Sequence, residues 1–514
     1  MRTSGILLHI SSLPSEYGIG TFGKEAYRFV DFLEQAGQTY WQILPIGITG
    51  YGDSPYQSFS SFAGNPYFID PDLLCEQGLL KKSDYNTLDF GKDPDQVDFG
   101  KLYENRYKML RKAYNNFDKA NVEFKTFCKE NSYWLDDFAM FMALKNDHNG
   151  ASWSTWDKDI KHREKTAMAA VNERLAKEID FYRVIEYLFF KQWFELKAYA
   201  NGKGIKIIGD IPIYVSFDSA DVWSNPKDFE LDASLEPINV AGCPPDAFSA
   251  DGQRWGNPLY NWKKMKREGF PWWCRRIEFS AKIFDVLRID HFRGFEAYWS
   301  IPATDKTAKG GKWVKGPGNA LFAELERRFG KLPIIAEDLG FMTEGVKKLL
   351  KKTGFPGMKV LEFAFDPDNE SEYLPYNIGK NSVAYIGTHD NEPAMLWFAN
   401  APKKTTEFAK EYMHLTDKEG YNWGFIRTLL SCPADTVIIQ MQDLLGLSKG
   451  TRMNSPAAAD GNWTWRVRGE CINDWLSEII FDKTKLYGRA TRKTFLEEAL
   501  DDTDEEVSEE ETKD

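Results

Sequence analysis

Eight short apolar, largely β-branched runs punctuate the chain, at residues 5–9, 39–44, 205–209, 286–289, 334–336, 359–365, 383–386 and 436–441. Between most of them apolar positions recur at helical spacing, as at 24–35, 317–329 and 344–352. Strand–helix alternation of this kind predicts an α/β fold with a parallel sheet, and eight strands make a closed (β/α)8 TIM barrel the natural count. A doubly wound open sheet is the competitor, but no glycine-rich phosphate-binding turn follows the first strand. GIGTFG at 18–23 has the glycines, yet SSLPSEY before it breaks the strand-to-helix junction, and the segment reads as a loop.

Two intervals are too long to be simple connections. Residues 47–203, after the second strand, are expected to be largely helical, with LDDFAMFMALKN and FYRVIEYLFFKQWFELKAY as the clearest amphipathic stretches. Residues 211–280, after the third strand, are rich in Pro, Gly, Asn and Trp and read as an ordered loop subdomain over the barrel mouth. The expected organisation is one catalytic domain over 1–500 carrying both insertions. An acidic tail at 501–514 follows it.

Charge and composition narrow the class. The chain has 514 residues, enough for one elaborated barrel or two to four domains. Its formal charge is −12, but nine acids and one lysine in 501–514 supply −8 of that. With only Val507 as an apolar residue, that tail is expected to be solvated and disordered. The rest has no basic patch, which argues against nucleic acid as a partner. Six scattered cysteines form neither a disulfide framework nor a zinc pattern. The apolar run in MRTSGILLHISSLP is too short for a signal peptide, and no stretch reaches the roughly 20 apolar residues that span a bilayer. A reduced, cytoplasmic, non-membrane protein is expected. The 15% aromatic content serves either a large core or platforms for sugar faces, and only position separates the two.

Three carboxylates stand where predicted strands end: Asp290 in VLRIDHFRG, Glu337 in PIIAEDLG and Asp390 in AYIGTHDNE. Parallel strands ending in acids gather them on the carboxyl face of a barrel. Two opposed carboxylates with a third beside them are the equipment for cleaving a glycosidic bond. Arg288 alternates with Ile289 and so shares a face with Asp290. Its guanidinium is expected to depress that aspartate's pKa and keep it ionised; a plain salt bridge at a strand end is the alternative. Apolar surroundings and a neighbouring anion raise the pKa of a general acid, and Glu337 is placed to have both. Asp338 alternates away and reads as a structural hydrogen-bond acceptor.

His389 and Asp390 are suited to binding neighbouring substrate hydroxyls. A metal half-site or a serine-hydrolase triad are the other uses of such a pair. With six histidines, no HxxxH, no HExxH and no GxSxG, both are unsupported. Loops at 50–70 and 241–262 interleave Tyr, Phe and Trp with Gln, Asn, Asp and Ser. They suit a groove that stacks on and hydrogen-bonds a polysaccharide better than they suit a core.

From SGILLHISSLPSEYGIGTFG through WQILPIG, SPYQSFSSFAGNPYFID, IIGDIPIYV, PPDAFSADGQRWGNPLYNW, LRIDHFRGFEAYW, IIAEDLG and GTHDN to RMNSPA and NWTWR, the chain resembles glycoside hydrolase family 77. These are the 4-α-glucanotransferases called amylomaltases or disproportionating enzymes, relatives of the α-amylase barrels. The resemblance covers nearly everything but the tail. It implies Asp290 as the nucleophile of a covalent glucosyl-enzyme, Glu337 as acid and base, and Asp390 as the acid that holds the distorted sugar. Arg288, His389 and Asp210 would flank them, and Ser54, Tyr56, Gln253, Trp255, Asn454 and Pro456 would line the donor and acceptor subsites.

It further implies double displacement with retention, for which paired carboxyls stand roughly 5–5.5 Å apart, and no metal, no organic cofactor and no carboxy-terminal β-domain. The implied partners are α-1,4-glucans: maltose, malto-oligosaccharides, amylose and glycogen-derived dextrins, with glucose as an acceptor. Departures fall at Glu392 and Pro393, where Asp-Thr is the family's usual continuation, and at Cys243, Asp251 and Arg254. Arg254 is expected to alter the binding of long acceptors.

Transfer and hydrolysis share their first half-reaction, so the acids alone do not separate them. A roofed site that excludes water favours transfer, and 241–262 is the expected roof. An α-amylase-type hydrolase and a catalytically silent glucan-binding protein are the alternatives.

Overall fold

The computed structural model describes residues 2–50, 52–245, 249–340, 342–456, 458 and 460–491; the acidic tail at 501–514 lies outside the described residues. Eight parallel strands close into a barrel: β1 (Thr3–Leu7), β2 (Tyr40–Gln42), β3 (Lys206–Ile211), β4 (Val286–Ile289), β5 (Ile334–Ala336), β6 (Gly357–Val360), β7 (Ser382–Tyr385) and β8 (Thr436–Gln440). Each pairs with its successor, and β8 returns to β1 in a register running from Thr3–Thr436 to Leu7–Gln440.

Strand alternation splits the core in two. Leu7, Ile208, Ile335, Met358, Val383, Tyr385 and Ile438 fill the barrel interior. Ile6, Trp41, Ile207, Leu287, Ile289, Ala384 and Val437 face outward into a larger core shared with the helices. Those helices bury one stripe each. Lys24–Gln35 buries Ala26, Phe29, Val30, Phe32 and Leu33. Glu344–Thr353 starts at Thr343, whose side chain accepts the Val346 N–H, and stops at Gly354 in the left-handed region.

The run at 359–365 is not a strand throughout. β6 ends at Val360, and Leu361–Phe363 turn as a 3-10 helix. The turn drops Leu361, Ala364 and Phe365 into the outer core, where a straight strand at the rim would not carry them.

Between β2 and β3 lie the helices Phe99–Asn116, Val122–Glu130, Ser132–Asp147, Lys165–Arg174 and Ala176–Gly202. The last ties the 47–66 loop to the barrel. Glu186 Oε2 accepts the Gly64 N–H at 2.8 Å, and Phe189 packs so closely that a Cβ at Gly64 would lie 2.2 Å from its ring. The stretch after β3 is more ordered than loops. Strands Asn239–Cys243 and Gln253–Pro258 join Ala297–Pro302 and Lys312–Lys315, from beyond β4, in an antiparallel sheet outside the barrel. NVAGC and QRWGNP show no apolar–polar alternation, so periodicity does not reveal them. No helix among the described residues is long and apolar enough to cross a membrane.

Candidate active site

The carboxyl ends of the barrel strands carry a connected polar cluster. Asp210 on β3 and Arg288 on β4 are register partners in neighbouring strands. Alternation points both side chains inward, where the Arg288 guanidinium lies 2.5 Å from Asp210 and 3.1 Å from Asp290 Oδ1. The Arg288 and Asp210 side chains are 3% and 0% exposed, whereas Asp290 is 28% exposed. The ion pair thus forms a buried floor, and Asp290 is the member open to the cleft.

Glu337 follows β5 and shares the inward face. Its Oε2 accepts the His291 N–H and its Oε1 the Leu339 N–H, both at 2.7 Å. His291 reaches this position with a left-handed backbone, φ 52°. Asp338 points the other way and accepts the Met358 N–H at 2.6 Å, the structural role its alternation predicts.

Asp390, 40% exposed, is held from behind by a segment near the carboxyl end. Asn454 Nδ2 donates to Asp390 Oδ1 at 2.6 Å, and the Asn454 N–H donates to His389 O at 3.0 Å. Arg452 donates to the backbone oxygens of Asp390 and Asn454. Tyr56, delivered by the 47–66 loop, stacks on His389 with centroids 5.3 Å apart. Its hydroxyl donates to Asp210 at 2.7 Å and is hydrogen-bonded to His389 Nε2 at 2.9 Å.

Electrostatics correct one expectation. Asp290 was expected to be depressed by Arg288, but its pKa is pushed well up. Burial is the main cause; Arg288 opposes it, and Glu337, Asp210 and Asp390 add to the rise. Arg288 does not prevail because it is already engaged, at shorter range, by Asp210. Glu337 is raised as expected, chiefly by burial, against the pull of Arg288 and its two amide donors. The two acids therefore titrate as a pair that keeps a proton above the ordinary carboxylate range. His389 is lowered by burial and is neutral.

The structure thus brings together Asp210, Arg288, Asp290, Glu337, His389, Asp390, Tyr56 and Asn454. Ser54, Gln253 and Trp255 connect through intermediaries. Ser54 Oγ accepts the Tyr56 N–H at 3.3 Å. Trp255 donates to Gln253 at 3.0 Å and meets the His291 ring edge-on at 4.9 Å. Pro456 is exposed, two residues past Asn454. Glu392 accepts from Asn400 at 2.9 Å and stands 3.9 Å from Arg452, and Pro393 leads into the helix Ala394–Asn400. Arg254 is exposed and donates to Ala303 O at 3.0 Å.

Sequence reasoning missed His291, Arg452 and Trp463. Trp463, at φ 66°, packs within 6.0 Å of the His389 ring and 5.8 Å of Tyr56. Arg452 and Trp463 lie in RMNSPA and NWTWR, so the family motifs held the signal, but neither ends a strand. His291 acts through its backbone, which its side-chain type does not reveal. No group of three or more His, Cys, Asp or Glu among the described residues is placed to hold a metal ion.

The family model described as 4-alpha-glucanotransferase, glycoside hydrolase family 77, matches residues 8–472. A Clostridium butyricum protein named 4-alpha-glucanotransferase is 52% identical over 94% of this chain and 100% of its own. One so named from Aquifex aeolicus is 47% identical over 95% and 100%. Among solved structures, the amylomaltase from Streptococcus agalactiae in complex with acarbose superposes with a TM-score of 0.94 at 46% identity, covering 96% of this chain and 100% of that one.

Proposed function

The chain belongs to the 4-alpha-glucanotransferases of glycoside hydrolase family 77, and from that premise we propose how its site moves α-1,4-glucan segments from a donor to an acceptor. It is a transferase; neither an α-amylase-type hydrolase nor a silent glucan-binding protein is favoured by full-length relatives of this kind.

The observation that carries the mechanism is the bracketing of Arg288 between Asp210 and Asp290. It anchors one oxygen of Asp290 and leaves the other for the anomeric carbon of a bound donor. With the shared proton on Glu337, Asp290 attacks C1 as Glu337 protonates the departing glycosidic oxygen. The C1–O bond breaks, the donor's reducing-end fragment leaves, and a β-linked glucosyl ester on Asp290 remains. Glu337, now a carboxylate, takes the proton from the 4-hydroxyl of an incoming glucan or glucose. That oxygen attacks C1 and releases Asp290, and two inversions retain the α configuration. Asp390, oriented by Asn454, binds hydroxyls of the sugar as its ring flattens, and neutral His389 donates beside it.

Malto-oligosaccharides and longer α-1,4-glucans are the donors, a reading supported by the similar Streptococcus agalactiae amylomaltase having been solved in complex with acarbose. The cytoplasm is the compartment proposed for this chemistry. Pure maltotriose tests the reading: glucose, maltopentaose and longer chains are expected, with almost no rise in total reducing ends. A steady rise in reducing ends would mean hydrolysis, and no product would mean a binder. Glu337→Gln is expected to lower transfer on maltotriose by about 10²–10⁴-fold while maltotriose still binds; a fully active variant would remove Glu337 from the acid/base role.

A further inference from the structure

Beneath His389 lies a cavity of about 10 Å³, lined among others by His9, Leu44, Gln440, Met453 and Trp465. That is on the order of the space the centre of one water needs. Gln440 ends β8 in register with Leu7 of β1. Leu7 faces the barrel interior, so Gln440 does too, and His9, two residues beyond Leu7, turns the same way. His389 comes from the next strand connection, after β7. Three adjacent strands therefore deliver Gln440, His9 and His389 to this cavity; Ser12 and Gln442 also line it, but the Ser12 hydroxyl donates to Trp465 O at 2.7 Å and Gln442 Nε2 to Thr451 O at 3.1 Å.

Their hydrogen-bonding capacity is complementary. Gln440 is 3% exposed, and its Nε2 is buried with no hydrogen-bond partner among the described residues, a costly state for a donor. His9 Nδ1 accepts the Leu44 N–H at 3.2 Å. Burial lowers the His9 pKa to about 3, so the ring is neutral and its proton sits on Nε2. Tyr56 spends its only proton on Asp210, so its contact with His389 Nε2 requires an imidazole N–H. Because His389 is also neutral, its Nδ1 is a bare acceptor. Gln440, His9 and His389 thus offer two donors and one acceptor beside a space the size of a water.

We infer that one buried water accepts from Gln440 Nε2 and His9 Nε2 and donates to His389 Nδ1, making His9 and Gln440 positioning residues that hold His389 in its Nε2–H form. The role presupposes the reading of Asp390 given above. The Nε2–H form puts a donor on Tyr56 and beside Asp390 Oδ2, 3.4 Å away. The other tautomer would aim a lone pair at both oxygens and loosen the group that meets the flattened sugar.

Imidazole nitrogen NMR of histidine-labelled enzyme, with His389 assigned from a His389→Gln control, tests the inference apart from activity. The wild type is expected to show a single Nε2–H form, and His9→Leu and Gln440→Leu a mixture of tautomers. In maltotriose turnover, kcat of both variants is expected to fall about tenfold with KM within twofold. His9→Gln, which again offers an acceptor to Leu44 and a donor to the cavity, should restore most of the lost kcat. If His9→Leu does not fold, Gln440→Leu carries the same two readouts. A wholly Nε2–H His389 in the leucine variants, or kcat within twofold of wild type, would overturn the inference. A wild type that shows the tautomer but no transfer would instead count against the proposed function.

Discussion

Asp290 and Glu337 sit in a field that burial and neighbouring carboxylates make hostile to two negative charges, and Arg288 relieves it only in part. The pH dependence of turnover follows from that residue-scale fact. On the proposed mechanism, below the pair's lower transition both acids are protonated and the nucleophile is missing; above the upper transition both are ionised and the acid is missing. Since both groups are raised, both limbs are expected above the ordinary carboxylate range of about 4. With an α-glucosyl fluoride donor, whose leaving group needs no proton, Glu337→Gln should keep the acid limb and lose the alkaline one. An alkaline limb that persists in that variant would assign it to another group. The raised Asp290 was not legible in the sequence: alternation puts Arg288 beside it, but only the folded chain shows Asp210 competing for the same guanidinium.

Elements hold these residues through groups outside the polar cluster. The connection after β7, which carries His389 and Asp390, runs into the helix Ala394–Asn400. Its first N–H is accepted at 2.7 Å by Asp443, which is 0% exposed. Burial raises Asp443 from 3.8 to about 7. Because the folded value is the higher one, the stability its neutral form contributes is full below pH 3.8 and is lost as pH rises through about 7. Asp443→Asn keeps an acceptor for Ala394 but cannot ionise. Thermal midpoints of the two proteins should match near pH 4 and separate in the variant's favour by pH 8, by an amount on the order of 1–3 kcal/mol. Equal midpoints at pH 8 as well as at pH 4 would mean that burial does not raise the Asp443 carboxyl in the native protein. On the amino side, Glu186 and Phe189 of Ala176–Gly202 fasten Gly64, and with it the loop that brings Tyr56 over the barrel. The helical insertion thereby contributes to the site without lending it a side chain.

For the molecule as a whole, the antiparallel sheet beside the barrel mouth is the feature we propose to bear on transfer against hydrolysis. Its strand Gln253–Pro258 sets Trp255 against His291, which follows Asp290 in the chain and donates its N–H to Glu337. Trp255→Ala would open that wall to water and weaken the acceptor side. The ratio of hydrolysis to transfer on maltotriose is expected to rise several-fold, with glucosyl-enzyme formation less affected. An unchanged ratio would place the exclusion of water elsewhere.

The sequence by itself determined the eight-strand alternation and the strand-end positions of Asp290, Glu337 and Asp390, because a strand's period of two and its terminus are local properties. Long motifs likewise carried the family, and with it the identity of the bond that is exchanged. Tertiary structure alone decided three things: that Arg288 is shared by two aspartates, that Arg452 and Asn454 clamp Asp390 from far along the chain, and that strands from two separate connections pair beside the cleft. Each depends on contacts between residues distant in sequence, which no local periodicity encodes. Closing the barrel brings those groups within hydrogen-bond range and takes them out of water, where their charges act on one another most strongly.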